Sequence, residues 1–183
     1  MKKKFRKKED RHPLENIQSE KKEELNRILH DKETISVFTD CSHIPGGNNL
    51  GLGVAYVGFH DVVVRSHKIP TDLQSPTMYG ELKAITYAIE WLPRVLEKYI
   101  RMLDKPRNVV IYSDCEHVEK LHTILLSKGE MRHVTEELIT AKTSFSKQYQ
   151  SIQLTIKYLG EGKKHHLYHR MAHSTAKKAL YKP

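Results

Sequence analysis

An α/β fold is what these 183 residues predict: a five-stranded mixed sheet, three antiparallel strands and then two parallel ones, with helices on both faces. Three observations carry that expectation. Two apolar, β-branched runs, 35–42 and 108–115, show no polar face and so read as strands buried on both sides. Short apolar runs at 50–58 and 62–68, split by the turn residues Pro45, Gly46, Gly47, Asn48 and Asn49, read as an antiparallel meander after the first strand. Helical stripes then separate the later strands, and strands reached through helices run parallel to the first.

Residues 1–11 carry Lys2, Lys3, Lys4, Arg6, Lys7, Lys8 and Arg11 against only Glu9 and Asp10. So charged a segment cannot pack on its own. After Pro13, Leu14, Ile17, Leu25, Ile28 and Leu29 share one face of an amphipathic helix, docked or partly free. We therefore divide the chain into a basic arm with its helix, 1–32, and a folded domain, 33–183. In that domain Leu82, Ile85, Ile89 and Leu92 mark a helix from Thr77 that should end or kink near Pro93. A further helical piece is expected over 94–103, then the second apolar strand, then helices over 116–126 and 134–146. Ile152, Leu154 and Ile156 alternate with polar residues as the fifth strand, and a Gly/Lys/His loop at 160–166 leads to a last helix over 170–180.

The net charge of +9 favours polyanionic partners, nucleic acid foremost. Cys41 and Cys115 form neither a disulfide framework nor a zinc-finger spacing. On neighbouring parallel strands they could approach closely enough to bridge, though two free thiols are the plainer expectation. No stretch is apolar enough to cross a membrane, and the basic N-terminus lacks a following apolar segment, so a soluble, cytoplasmic protein is expected.

Chemistry concentrates where the buried runs end. The first should stop at Asp40 and the second ends at Asp114, which places two carboxylates side by side at one rim of the sheet. Alone, each Asp reads equally well as a turn or cap residue. Together they repel, and a divalent cation offsets that repulsion. Glu81, beside the buried Leu82 and Ile85, can join them from the helix. Three hard oxygen donors suit Mg²⁺ or Mn²⁺, and paired cations of that kind support phosphodiester hydrolysis.

These residues resemble the type 1 ribonuclease H family. Thr39-Asp40-Cys41-Ser42 followed by Pro45-Gly46-Gly47 is similar to its first strand and glycine-rich turn. Glu81-Leu82-Lys83-Ala84-Ile85 is similar to its helix motif, and Tyr112-Ser113-Asp114 to its second aspartate. The resemblance spans about Ile35 to Leu180. It implies a ribonuclease H-like fold and two-metal hydrolysis of the RNA strand of RNA–DNA hybrids by a monomer. Asp40, Glu81 and Asp114 would then hold two Mg²⁺ or Mn²⁺ ions, and Ser42 and Thr77 would lie against the substrate.

The chain departs from the family's pattern in four places. Cys41 replaces a Gly, and Thr77 replaces an Asn that contacts the hybrid. The segment 127–133 is too short for the family's basic protrusion. In the last helix His173 stands where a fourth Asp is usual. As a metal ligand His173 adds no negative charge and favours Mn²⁺ relative to Mg²⁺; otherwise it is an exposed helix residue in a degraded site. His165 or His166 fits the family's mobile catalytic His, with Lys163 and Lys164 touching phosphate. Alternatively His165 or His166 could join His169 and His173 in a zinc site, since i,i+4 histidines share a helical face. Two further functions stay open: a nuclease of the same superfold acting on DNA or structured RNA, and a non-catalytic nucleic-acid binder.

Overall fold

The computed structural model describes residues 13–73, 77–100, 106–120, 129–160 and 166–181. Its elements are α1 (Pro13–His30), β1 (Thr34–His43), β2 (Asn49–Gly58), β3 (Asp61–Pro70), α2 (Thr77–Ile100), β4 (Asn108–Ser113), a 3-10 turn (Glu116–Lys120), α3 (Glu130–Gln148), β5 (Gln153–Tyr158) and α4 (Leu167–Leu180). The sheet order is β3-β2-β1-β4-β5. β1–β2 and β2–β3 pair antiparallel, whereas β1–β4 and β4–β5 pair parallel, so the expected mixed sheet is the one that forms.

β1 is central, and its side chains alternate between two cores. Ile35 and Val37 face one core with Val54, Tyr56, Ile111 and the apolar stripes of α2 and α3. Phe38 faces the other with Ala55, Val57 and Ala172 of α4, and Leu25, Ile28 and Leu29 of α1 pack against that cluster. Tyr168 Oη donates to the Leu25 carbonyl (3.1 Å), so the C-terminal part of α1 is docked on the domain. The two-residue β2–β3 turn holds Phe59 and His60 at positive φ (52° and 62°), a conformation usually left to Gly or Asn. Their N–H groups donate to the Asp31 and Leu29 carbonyls, which ties this turn to the end of α1.

Three expectations need correction. β1 does not stop at Asp40; it continues to His43 because the antiparallel ladder with β2 continues to His43↔Leu50. Only the parallel ladder ends early, at Phe38↔Tyr112. α2 neither ends at Pro93 nor yields a separate helix after it, but runs to Ile100 with Pro93 inside. Ile89, Leu92, Val95, Leu96 and Tyr99 are buried on both sides of the proline. That apolar stripe outweighs the roughly 3 kcal/mol cost of proline in a helix. Residues 116–120 form a 3-10 turn rather than the start of an α-helix, and 121–126 lie outside the described residues.

Candidate metal centre

The centre lies where β1 outlasts its parallel neighbour. Asp40 is two residues past the last β1–β4 pair, and Asp114 directly follows Ser113, the end of β4. Alternation along the strands turns both toward α4. Asp40 pairs in register with Gly53 of β2. A Cβ built on Gly53 would meet the Ala172 carbonyl oxygen at 2.1 Å, and one on Gly51 the Ala176 oxygen at 2.0 Å. Only glycine lets α4 lie this close to the sheet, and the closeness brings α4 side chains to Asp40.

Two histidines on one face of α4 flank that carboxylate. His173 Nδ1 lies 3.0 Å from Asp40 Oδ2, and the buried His169 Nε2 lies 3.5 Å from Oδ1. One donor atom each from Asp40, Asp114 and His169 falls within 4.8 Å of the others. Glu81 adjoins this set from the opposite face of the sheet, anchored through both oxygens. Its Oε1 accepts the Cys41 N–H (3.1 Å) and its Oε2 the Ser113 hydroxyl (3.4 Å). The Cys41 N–H lies past the end of the β4 ladder, and the carboxylate takes the place of the missing strand.

Burial governs the electrostatics. Asp40 is 4% exposed and Glu81 5%. Burial, partly opposed by His173 and reinforced by Asp114, raises the Asp40 pKa from 3.8 to about 6. Burial and then the charges of Asp114 and Asp40 hold Glu81 well above its ordinary range. Among the described residues no Lys or Arg pairs with any of the three acids. Asp40 faces the imidazoles of His169 and His173. A cluster of buried and half-buried carboxylate oxygens with a nitrogen donor, and among the described residues no Lys or Arg against it, fits a divalent metal.

Cys41 and Cys115 are both free. Burial and then the Glu81 and Asp40 charges push the Cys41 thiol far up, so it stays protonated. Its sulfur fills the space over Gly80 of α2, where a Cβ would come within 2.2 Å of Sγ.

The other expected site residues lie elsewhere or fall outside the description. Ser42 is half-buried in the β1 extension, and Thr77 is the exposed first residue of α2. His166 precedes α4, its ring stacked on Phe38 (4.8 Å between centroids) and tilted against Tyr168. That packing sets its ring in an aromatic cluster. Lys163, Lys164 and His165 lie outside the described residues. His169 is the residue that sequence reasoning undervalued, having entered only the zinc alternative. Its spacing of four from His173 was the available signal.

In sequence the chain matches no protein-family model and no curated protein. Its structure is similar to solved ribonucleases H1. The enzyme from the halophilic archaeon Halobacterium salinarum NRC-1 aligns at TM-score 0.51 and 14% identity, covering 80% of this chain and 97% of that one. LC11-RNase H1, solved in complex with an RNA/DNA hybrid, aligns at TM-score 0.54 and 17% identity (80% and 99%). The N-terminal RNase H domain of Rv2228c from Mycobacterium tuberculosis aligns at 0.52 and 10% (80% and 96%). The chain has a ribonuclease H-like fold.

Proposed function

We propose that the protein is a metal-dependent nuclease that hydrolyses the RNA strand of RNA–DNA hybrids. The observation that carries this reading is the meeting of Asp40, Asp114 and His169 donors within 4.8 Å, beside a buried Glu81 and, among the described residues, with no Lys or Arg paired to any of the acids. Asp40, Glu81 and Asp114 would hold two divalent cations, Mg²⁺ or Mn²⁺, with His169 as a nitrogen ligand and His173 against Asp40. Such ions activate water and stabilise the leaving oxygen. The chain's own part is to fix the oxygens: Cys41 N–H and Ser113 Oγ orient Glu81, and the His173 imidazole orients Asp40. The solved hybrid complex of LC11-RNase H1 supports the choice of substrate. The basic arm, within the segment 1–32, would add phosphate contacts.

One observation favours a second reading, a nucleic-acid binder without catalysis. Both Asp40 oxygens already face imidazoles, where a further carboxylate would draw cations more strongly. A single assay separates the two: hydrolysis of matched hybrid, double-stranded RNA and double-stranded DNA, with Mg²⁺ or Mn²⁺. We expect cleavage of the hybrid's RNA strand that is abolished in Asp114→Asn, while hybrid binding persists. Metal-independent cleavage, or cleavage by Asp114→Asn at the wild-type rate, overturns the nuclease assignment. Tight hybrid binding with no cleavage by wild type favours the binder.

A further inference from the structure

Away from the carboxylates, on the edge formed by β3 and α2, a row of rings carries two arginines. His67 stacks on Tyr87 (5.4 Å between centroids, 20° between planes), and Tyr87 on Trp91 (6.4 Å, 17°). The Arg94 guanidinium sits 4.1 Å from the Trp91 ring centroid, and that of Arg65 sits 5.7 Å from it. We propose that Arg65 and Arg94, held on Trp91, form a phosphate-binding site for a nucleic-acid strand that extends beyond the metal centre. The proposal rests on the nucleic-acid part of the preceding reading and adds a second point of attachment.

Five features point to an anionic ligand here. Both arginines are exposed, and among the described residues neither pairs with a carboxylate. Glu90, one turn before Arg94 and also exposed, makes no ion pair with it. Arg65 Nη1 donates to the neighbouring Val64 carbonyl, which steadies the side chain and leaves its remaining N–H donors for a ligand. The indole is held for its face: Trp91 Nε1 is buried and has no acceptor among the described residues. The platform is also tied across elements, since Tyr87 Oη donates to the Ser66 carbonyl of β3 (3.3 Å). Guanidinium groups ordered in advance on an aromatic face lose little entropy when a phosphate arrives. The exposed outer face of His67 offers a stacking surface for a base.

The spacing sets the reach. Glu81 and Trp91 are ten residues apart on α2, about 15 Å along a helix. With an axial rise of about 3.4 Å per nucleotide in a helically stacked strand, the arginines lie roughly four to five nucleotides along the axis from the metal centre. A strand that spans this gap touches both places, and a shorter one cannot.

Trp91 is the only tryptophan of the chain, so its fluorescence reports on this site alone. The experiment titrates the full-length protein, without divalent metal, with oligothymidylates of two lengths, one below and one above the gap. Trp91 emission and the anisotropy of labelled oligonucleotide are followed together at several salt concentrations. We expect the longer strand to change Trp91 emission saturably. The Arg65→Gln/Arg94→Gln double variant should lose that change and bind at least about tenfold more weakly, as when charge-assisted contacts are removed. Its slope of log affinity against log salt should be shallower by about 1.4, the value for two phosphate contacts on a single strand. Arg94→Lys, which keeps the charge but not the planar fork, should retain the salt slope while weakening affinity, and it serves if the double variant misfolds. Binding by anisotropy with constant Trp91 emission, or an unchanged salt slope in the double variant, overturns this site and leaves the nuclease assignment standing. Absence of any oligonucleotide binding likewise overturns this site, whereas only failure to bind or cut the hybrid with metal overturns the nuclease assignment.

Discussion

Replacing Asp40 by Asn should stabilise the metal-free protein, and the gain should depend on pH in a defined direction. The Asp40 carboxyl titrates at about 6 in the fold against 3.8 ordinarily. The fold therefore prefers the protonated acid. Below pH 3.8 this imposes no penalty; the penalty grows between 3.8 and about 6 and is complete above. Its full size is about 3 kcal/mol. Asn removes the charge and keeps one oxygen opposite the imidazoles, with about 1 kcal/mol forfeited through the weaker contact to His173. The net gain of about 2 kcal/mol is roughly 4–8 °C in melting temperature for a chain of this size. The assay is thermal denaturation in chelator at about pH 7.5 and at about pH 4.5, where only about a third of the penalty has developed. Saturating Mg²⁺ or Mn²⁺ at the higher pH should then reverse the order. Cation at about one hundred times its Kd stabilises wild type by about 2.7 kcal/mol, and the Asn variant far less. A variant destabilised equally at both pH values, or one that gains as much from metal as wild type, refutes the reasoning.

Gly53→Ala should lower stability by roughly 2–3 kcal/mol and suppress metal-induced stabilisation, because the new methyl group meets the α4 backbone at 2.1 Å; chemical denaturation with and without metal checks it. His173→Asp should enlarge the rise in melting temperature on adding Mg²⁺, since a hard carboxylate replaces an imidazole at the 3.0 Å contact with Asp40; a rise equal to that of wild type would place residue 173 outside the centre. Removal of residues 1–11 should weaken hybrid binding and flatten its salt dependence without altering which substrate is cut, read by binding at several salt concentrations.

Much of the fold was legible because single residues carried unambiguous signals. Ile35, Val37, Val109 and Ile111 announce strands buried on both faces, and all four are at zero exposure. Pro93 misled because a proline is a local signal, whereas the continuing stripe of Val95, Leu96 and Tyr99 acts through tertiary burial. The end of β1 was misplaced for a similar reason. Asp40 marks the end of one ladder only, and no local pattern tells which neighbour leaves first. The departure at Cys41 now has a physical account. Its Sγ occupies the space over Gly80, where a Cβ would come within 2.2 Å of it, so strand and helix fit as a large and a small residue. In the centre, Asp40, Glu81 and Asp114 could be read from their strand and helix contexts. His169 could not be ranked above His173, because burial on α4 depends on how closely that helix approaches β2. That distance is written in Gly51 and Gly53, more than a hundred residues earlier.

The contact of α4 with those glycines is backbone against backbone, and this has a mechanical consequence. A helix resting on side chains has a compliant cushion that settles by changes of rotamer. Here α4 meets a hard stop at Ala172 and Ala176. His169 and His173 ride on the same rod, about 6 Å apart along its axis. Raising or tilting the rod moves both imidazoles together, so their grip on Asp40 tightens or loosens as one motion. The softest adjustment of this centre is therefore made through the small residues beneath the helix rather than through the histidines themselves.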